Sequence, residues 1–342
     1  MKNQYDYVIG VDISKDSFCA RIIKMVDSLC PLGSIQKFDN STKGFLNFFK
    51  WLDACKVNLT TSLTVMEATG VYWENLAFFC VEEGAKVSVV NPKQIKHFAH
   101  TNLRRSKTDP LDADLIARFG TTMNPSVWNP PDPLLEELRQ IARERDSFVN
   151  MLTEEKNRVH ALQNCANPSK VVLTFHKQTI NHLERQVKKL EKGFKDKLAK
   201  KPTLQQKVDL LKSIPGIGDI SAGILLTESN EFSTFTSAKQ LAAYAGISPC
   251  QNKSGISVSK KIKISKIGNP RIRNILYLDA VTCIRFNPLL KKFYERLRNK
   301  GKPAKIALIA VARKLLHMIY AIVKSGKPFD PYYISKKPAF AA

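Results

Sequence analysis

The stretch DYVIGVDI, residues 6–13, begins with Asp6 and continues as a run of aromatic and β-branched apolar residues, with a second acid, Asp12, near its end. This composition predicts a buried β-strand. Two further β-rich stretches, SFCARIIK (17–24) and GSIQKFDN (33–40), follow after short turn signals. The three stretches together predict an antiparallel meander at the start of the chain.

Helical and strand patterns alternate after this meander. TSLTVMEA (61–68) and AKVSVVNP (85–92) predict two more strands, and segments with helical apolar spacing precede and follow each of them. The order is strand, strand, strand, helix, strand, helix, strand, helix. This is the order of ribonuclease-H-like domains, in which three antiparallel strands are extended by parallel strands joined through helices. We therefore predict an α/β domain of this type over residues 1–125.

Four acids occupy matched positions in this topology. Asp12 lies on the first strand and Glu67 ends the fourth, in VMEATGVYW, while Asp109 and Asp112 begin the last helix, in KTDPLDADLIARF (107–119). The ends of the first and fourth strands are adjacent in such a sheet, and the last helix packs across them. A carboxylate cluster is unfavourable unless it binds cations, and two Mg²⁺ ions so held serve phosphoryl transfer.

Two of these acids also have a simpler structural explanation. Asp12 could be a residue of the turn that follows its strand, and Asp109 could cap a helix that has proline at its first position. Asp114 is two residues beyond Asp112, so a helix turns it about 200° away from that acid. We expect Asp114 to face solvent or to pair with Arg118 four residues on.

The middle of the chain, residues 126–203, predicts a linker and a helical arm. NPSVWNPPDPLLEEL (124–138) contains four prolines and is typical of a linker. From Leu134 apolar residues recur at helical spacing to about Lys200, with one interruption at NPSK (167–170). Two antiparallel helices forming a coiled-coil arm fit this pattern, and an ordinary helical subdomain fits it equally well.

Residues 204–342 predict a mainly α-helical C-terminal domain. LLKSIPGIGDISAGILLTE (210–228) has two helical patterns around a tight turn, as in a helix-hairpin-helix. In that motif Gly216 and Gly218 would let backbone N–H groups approach a phosphate. A helical hairpin with no ligand is the alternative.

The charge distribution indicates a polyanionic partner. The net charge is +24, of which residues 1–125 carry +2, residues 126–200 carry +4 and residues 201–342 carry +18. Within the last region one run has no intervening acid, and its cations are candidate phosphate contacts. They are Lys253, Lys260, Lys261, Lys263, Lys266, Arg271 and Arg273.

Other features exclude several classes of protein. The uninterrupted apolar runs fall short of the roughly 20 residues that span a bilayer, so we expect no membrane partner. The seven cysteines contain no C-x-x-C pair, which argues against a zinc site and against a disulfide framework. A cytoplasmic protein with reduced thiols is the expectation.

The motifs quoted above resemble those of the DEDD-type insertion-sequence transposases, a family that includes pilin-gene invertases and bridge-RNA-guided recombinases. GVDISKDSF, MEATGVYW, VVNPKQIKHFA and KTDPLDADLIARF resemble its N-terminal domain. LLKSIPGIGDISAGILLTE, FTSAKQLAAYAGISP and SGISVSKKIKISKIGNPRIRNILY resemble its C-terminal transposase domain. The resemblance covers nearly the whole chain, in the family's order.

The resemblance implies a RuvC-like N-terminal domain whose four acids, Asp12, Glu67, Asp109 and Asp112, are catalytic metal ligands. It implies a catalytic serine in the C-terminal domain, Ser254, placed before a glycine; its choice over Ser257 and Ser259 rests on the resemblance alone. It also implies a bacterial or archaeal source, a structured non-coding guide RNA, and a homo-oligomer, dimer or tetramer, that brings donor and target DNA together.

The leading hypothesis is therefore an RNA-guided transposase, a site-specific DNA recombinase of an insertion sequence. It would cut and rejoin DNA through a Mg²⁺-dependent composite site with a serine nucleophile. The alternative is a RuvC-like, metal-dependent, structure-selective nuclease that uses water and forms no covalent intermediate. A non-catalytic nucleic-acid-binding protein is a third possibility, but a decayed site is expected to have lost at least one of the four acids.

Overall fold

The structure is a computed structural model that describes residues 5–25, 30–101, 109–250, 253–254, 258–259 and 263–332, with backbone only at 109–110, 253–254 and 258–259. The chain forms two compact units, residues 1–130 and 131–342. The predicted arm and C-terminal domain both fall in the second unit. The division into 1–125, 126–203 and 204–342 stays a prediction.

The first unit is built on a five-stranded mixed sheet with the order β3-β2-β1-β4-β5. Its strands are β1 Tyr7–Ile13, β2 Ser17–Lys24, β3 Cys30–Asp39, β4 Ser62–Glu67 and β5 Lys86–Val90. Strands β1, β2 and β3 pair antiparallel, while β1, β4 and β5 run parallel. This order confirms the prediction of a RuvC/ribonuclease-H-like α/β fold.

Four helices and one short 3₁₀ turn, Leu59–Thr61, complete the first unit. The helices are α1 Thr42–Ala54, α2 Glu74–Glu82, α3 Pro92–Thr101 and α4 Asp109–Met123. Because side chains alternate across a strand, the sheet has an apolar core on each face. Ile9 and Val11 of β1 pack with Phe48 of α1 on one face, and Val8 packs with Ile116 of α4 on the other.

The proline-rich segment after α4 is anchored to the first unit by Trp128. Its ring makes edge contacts with Trp73 and Phe78, at centroid distances of 5.6 and 5.3 Å. Its backbone N–H donates to the carbonyl of Val87 on β5, at 2.7 Å. Part of the predicted linker is therefore docked on the first unit, and α5 begins at Pro133, within one residue of the predicted start at Leu134, with Asp132 as its N-cap.

The second unit begins with two long helices, α5 Pro133–Gln163 and α6 Lys170–Leu198. Ion pairs join Arg145 to Glu191 and Lys156 to Glu184, both at 2.8 Å, so residue numbers fall on α6 as they rise on α5. The two helices are antiparallel, as the sequence predicted. Ser169 caps α6 at the predicted interruption.

The rest of the second unit is mainly helical. Its helices are α7 Pro202–Lys212, α8 Asp219–Glu228, α9 Ala238–Tyr244, α10 Pro270–Phe286, α11 Pro288–Asn299 and α12 Ala304–Ser325, with a 3₁₀ turn at Asn230–Phe232. Two pairs of short strands lie between α9 and α10. They are β6 Pro249–Cys250 with β9 Lys263–Ile264, and β7 Lys253–Ser254 with β8 Val258–Ser259.

Helix α12 is long and apolar, although the uninterrupted apolar runs of the sequence are short. By length and composition it is the one helix of the described chain that could cross a membrane. However, one side of it, including Val311, Leu315 and Ile319, is fully buried in the core of the second unit. Its apolarity is therefore explained by packing among the other helices of that unit.

Candidate active site

Two of the predicted site residues lie side by side at one end of the sheet. Val11 of β1 is paired with Met66 of the parallel strand β4, and Asp12 and Glu67 directly follow that pair on their strands. Both acids are partly buried. Thr69 donates a hydrogen bond of 2.8 Å from its hydroxyl to Oε1 of Glu67, which restrains that carboxylate.

Helix α4 lies on the same face of the sheet as these acids. Asp12 is two residues beyond Gly10 on β1, and Glu67 is two residues beyond Val65 on β4, so each points to the same side as its neighbour. A methyl group added at Gly10 would lie 2.7 Å from the Cα of Ala117 and would overlap the carbonyl oxygen of Ala113. The helix backbone thus packs directly on β1.

The direction of α4 brings its first turn toward Asp12. Gly120, near the end of α4, packs against Val8, whereas Ala113 and Ala117 pack against Gly10, which lies farther along β1. Helix α4 therefore runs antiparallel to β1, and its start continues past Gly10 toward the end of the strand. The positions of Asp109 and Asp112 are consequently at the same end of the sheet as Asp12 and Glu67.

The donor set at this end of the sheet suits a hard divalent cation. Carboxylate oxygens are the ligands that Mg²⁺ prefers, and neither thiol nor imidazole is among the four positions. Among the side chains that the structure describes, no three Asp, Glu, His or Cys residues are gathered as a metal-ligand group. The side chain of Asp109 lies outside that description. Metal binding by the four acids stays a prediction.

Asp114 corrects one expectation. Its side chain accepts a hydrogen bond of 2.8 Å from Nε of Arg118, as predicted, but the residue is buried and does not face solvent. The guanidinium of Arg21 on β2 lies 3.6 Å from its other oxygen. Asp114 therefore fixes α4 to the sheet, and the acid-rich start of the helix contains a structural carboxylate beside the predicted ligands.

Ser254 lies in the second unit, on a β-hairpin. Its backbone pairs with Val258, and Lys253 pairs with Ser259, so Ser254 lies in the second of the two pairs of this ladder. Gly255 and Ser257 are outside the described residues. Pairing of Pro249 with Ile264 forms the base of this hairpin.

A network that sequence reasoning missed holds the start of α10, the helix that follows these short strands in the chain. Glu228, buried at the end of α8, accepts hydrogen bonds from Asn269 at 2.9 Å and from Arg271 at 2.8 Å. Arg271 also donates to Asp146 of α5 at 2.7 Å. The pattern Asn269-Pro270 was the available signal, because it places a capping residue before a helix with proline at N1.

Two of the predicted phosphate-binding cations, Arg271 and Arg273, are engaged in contacts within the protein. The guanidinium of Arg271 is occupied by two carboxylates, and that of Arg273 donates to the carbonyl of Ala245 at 3.1 Å. Both arginines have a structural role in this arrangement. Lys263 and Lys266 are exposed, Lys253 is described by its backbone only, and Lys260 and Lys261 lie outside the described residues.

The IPGIG turn joins α7 to α8 as predicted. Gly216 has a φ of +106°, and a side chain there would lie 2.8 Å from Sγ of Cys283 on α10, so packing alone requires glycine. Gly218 caps α8 and has open space where a side chain would be. Lys212 and Lys195 hydrogen-bond to Asp219, in the first turn of α8, and lower the pKa of its carboxyl.

Two family models match this chain. A DEDD transposase model matches residues 9–168, and the model of the IS116/IS110/IS902 transposase family matches residues 208–295. The first range contains all four acids and the second contains Ser254 and the IPGIG turn. The two matches follow the order of the two compact units.

Similar proteins cover almost the entire chain. The pilin gene-inverting protein of Moraxella bovis is 35% identical over 325 residues, which are 94% of this chain and 97% of that protein. The pilin gene-inverting protein of Moraxella lacunata matches to the same extent. The transposase of IS1328 from Yersinia enterocolitica is 25% identical over 72% of this chain and 79% of its own length.

Among solved structures, that of Thermus thermophilus RuvC is 11% identical, with a TM-score of 0.28, and covers 36% of this chain and 99% of that one. The assignment of the fold rests on the strand order and not on this similarity. The identity to the inverting proteins extends over both units, and the two family models match in the expected order. The chain is a member of the IS116/IS110/IS902 family of transposases.

Proposed function

We propose that this transposase cuts and rejoins DNA by using the carboxylates of its first unit and the serine of its second unit on the same phosphodiester. The observation that supports this most is the placement of Asp12 and Glu67 on adjacent parallel strands, with the start of α4 directed toward them. A RuvC-like sheet with acids at these positions is suited to phosphoryl transfer.

Asp12, Glu67, Asp109 and Asp112 would hold Mg²⁺, and the metal would supply charge stabilisation and lower the pKa of an attacking hydroxyl. The fixed backbone contact between α4 and Gly10 would keep the four positions at one end of the sheet. The hydrogen bond from Thr69 would orient Glu67.

Ser254 would act as the nucleophile. Its hydroxyl oxygen would form a bond to phosphorus as the bond from phosphorus to the leaving sugar oxygen breaks, and the hydroxyl proton would be lost while the sugar oxygen gains one. The number of phosphoester bonds is unchanged, so the covalent intermediate can rejoin DNA without an added energy source. The network of Glu228, Asn269 and Arg271 would fix the start of α10, the helix that follows Ser254 in the chain.

The enzyme would act with nucleic-acid partners and with further copies of itself. A structured non-coding RNA would direct the enzyme to donor and target DNA, and a homo-oligomer, dimer or tetramer, would hold the two DNA segments together. The IPGIG turn would act as a helix-hairpin-helix, with the N–H groups near Gly218 on a phosphate, where the space is open. Exposed Lys263 and Lys266 would neutralise phosphates near the hairpin.

A single assay on DNA substrates tests the chemistry. Wild-type protein with Mg²⁺ is expected to cleave DNA and to form a protein–DNA adduct that survives denaturation. Ser254→Ala should bind DNA and form no adduct, while Ser257→Ala and Ser259→Ala should form it normally. Asp12→Asn and Asp112→Asn should abolish cleavage and leave the affinity for DNA nearly unchanged. Asp53→Asn, at an exposed position of α1, is the matched control.

Each alternative has its own outcome in this assay. Adducts that persist in Ser254→Ala but vanish in Ser257→Ala or Ser259→Ala would move the nucleophile along the hairpin. Cleavage by the wild-type protein without any adduct would favour the metal-dependent nuclease that uses water. Normal cleavage by Asp12→Asn or Asp112→Asn would remove the assignment of the four acids.

A further inference from the structure

The second unit has a row of cations that the hairpin and the IPGIG turn do not include. Between Arg285 and Lys327 the sequence has twelve basic residues and one acid, Glu295. Within this stretch Lys292 and Arg296 on α11 and Lys300, which caps the C-terminal end of this helix, recur every four residues, so they form a row about 12 Å long on one side of it. All three are exposed.

A fourth cation joins this row from the neighbouring helix. Nζ of Lys314 on α12 lies 4.7 Å from the ring centroid of Phe293, and Cζ of Arg296 lies 5.2 Å from the same centroid. One aromatic ring therefore has two positive groups beside it. Partial burial and then the charge of Arg296 lower the pKa of Lys314, as expected where like charges are held together.

None of these four cations makes an ion pair within the described chain. The arm differs in this respect, because Lys156 of α5 and Lys197 of α6 have carboxylate partners. Keeping four unpaired cations in one row costs electrostatic free energy, which a polyanion would offset. The row, defined as Lys292, Arg296, Lys300 and Lys314, is called the α11 stripe.

The apolar side of α11 is already occupied, which limits the kind of partner. Leu290 is fully buried, and Phe293 and Tyr294 pack against the core of the second unit. A helix that binds a membrane surface inserts its apolar side, and α11 has that side inside the protein. The exposed side of the helix therefore presents positive charge, as a phosphate-binding surface does.

We propose that the α11 stripe is a binding surface for the backbone of double-stranded DNA, separate from the hairpin that carries Ser254. This inference rests on the proposed function, since it is the DNA to be recombined that the stripe would hold. The contacts would be to phosphates, whose negative charge the long cationic side chains would neutralise. Because such contacts do not involve the base edges, they would carry no base specificity.

The test measures binding of the full-length protein to a labelled DNA duplex over a range of salt concentrations. The variant K292Q/R296Q/K300Q/K314Q should lower the slope of log affinity against log salt by about three to four, and should weaken binding at least about a hundredfold near 0.1 M salt. The control K37Q/K43Q/K50Q/K56Q removes four exposed lysines of the first unit and should leave the slope nearly unchanged.

Two further variants keep the test decisive if the fourfold change affects folding. K292R/R296K/K300R/K314R retains every charge and should bind like the wild type. K292Q/K300Q alone should reduce the slope by about two. A wild-type slope in the folded fourfold glutamine variant would overturn the proposal.

The same variants distinguish other partners and the chemistry. If the fourfold glutamine variant loses binding to duplex RNA or to anionic vesicles but binds DNA like the wild type, the assignment to DNA is overturned. If the stripe variants lose DNA binding while the adduct assay on the wild type fails, the stripe stands and the proposed serine chemistry falls. If adducts form as proposed and the stripe variants bind normally, only the stripe is wrong.

Discussion

At the scale of single residues, Asp279 on α10 is a buried carboxyl without a cation beside it. Ser221 of α8 donates a hydrogen bond of 2.7 Å to Oδ1, while Oδ2 is buried and has no hydrogen-bond partner among the described residues. Burial raises the pKa of Asp279 to about 7, against the smaller opposing effect of Ser221. Burial and then the nearby Asp279 also raise the pKa of Cys283 to about 12.

This carboxyl predicts a pH-dependent stability. The folded protein keeps the proton of Asp279 up to about pH 7, whereas the unfolded chain loses it near the ordinary value of 3.8. The folded state binds the extra proton, so the contribution of Asp279 to stability is greatest below about pH 4 and is lost as the pH rises to about 7. Asp279→Asn should therefore raise the free energy of unfolding by about 1–3 kcal/mol at pH 8.

Chemical denaturation of both proteins between pH 4 and pH 8 measures this effect. The difference in the free energy of unfolding between Asp279→Asn and wild type should grow with pH above the unfolded pKa of Asp279. Because the other titrating groups are common to both proteins, they cannot cause such a change in the difference. A difference that is constant over this range would contradict the prediction. Ser221→Ala, which removes a bond to the ionised form, should raise the folded pKa further.

At the scale of elements, the contact between β1 and α4 determines where the acids lie. At Gly10, alanine would place a methyl group against the backbone of Ala113 and Ala117, where no side-chain rotation can relieve the overlap. We expect Gly10→Ala to displace α4, to lower stability by about 1–3 kcal/mol and to lower DNA cleavage.

Gly193→Ala is the matched control. Gly193 lies inside α6 with no atom near its missing side chain, so alanine there should stabilise the protein by up to about 1 kcal/mol. Thermal unfolding followed by circular dichroism, with cleavage measured in parallel, compares the two. Normal cleavage by Gly10→Ala would show that the α4 contact does not position the site.

The elements also show which features the sequence could predict. Apolar, β-rich composition and flanking turn signals predicted β1, β2, β4 and β5 within a few residues, because such a composition needs no distant partner to be recognised. The docking of Trp128, the burial of Asp114 and the partners of Arg271 depend on residues far away in the chain. Local patterns do not contain that information, so these contacts could not be predicted from the sequence, whereas the placement of Asp12 and Glu67 at the same end of the sheet could.

At the scale of the whole molecule, the two units differ in charge and in the signals that report on them. All three tryptophans, Trp51, Trp73 and Trp128, belong to the first unit, whereas most of the positive charge belongs to the second. Tryptophan fluorescence therefore follows unfolding of the unit that has the four acids. This separation allows metal binding to be detected without DNA and without activity.

Mg²⁺ should stabilise the first unit and leave the second unaffected. A ligand that binds only the folded state adds RT ln(1 + [L]/Kd), which is about 1.4 kcal/mol at a concentration ten times the Kd. The fluorescence-detected melting temperature should thus rise by a few degrees in Mg²⁺. Asp12→Asn and Asp112→Asn should abolish the rise, because each removes a predicted ligand and lessens the repulsion that the ion would relieve, while Asp53→Asn should keep it. An equal rise in all four proteins would mean that Mg²⁺ acts elsewhere, and the acids at the end of the sheet would then need another explanation.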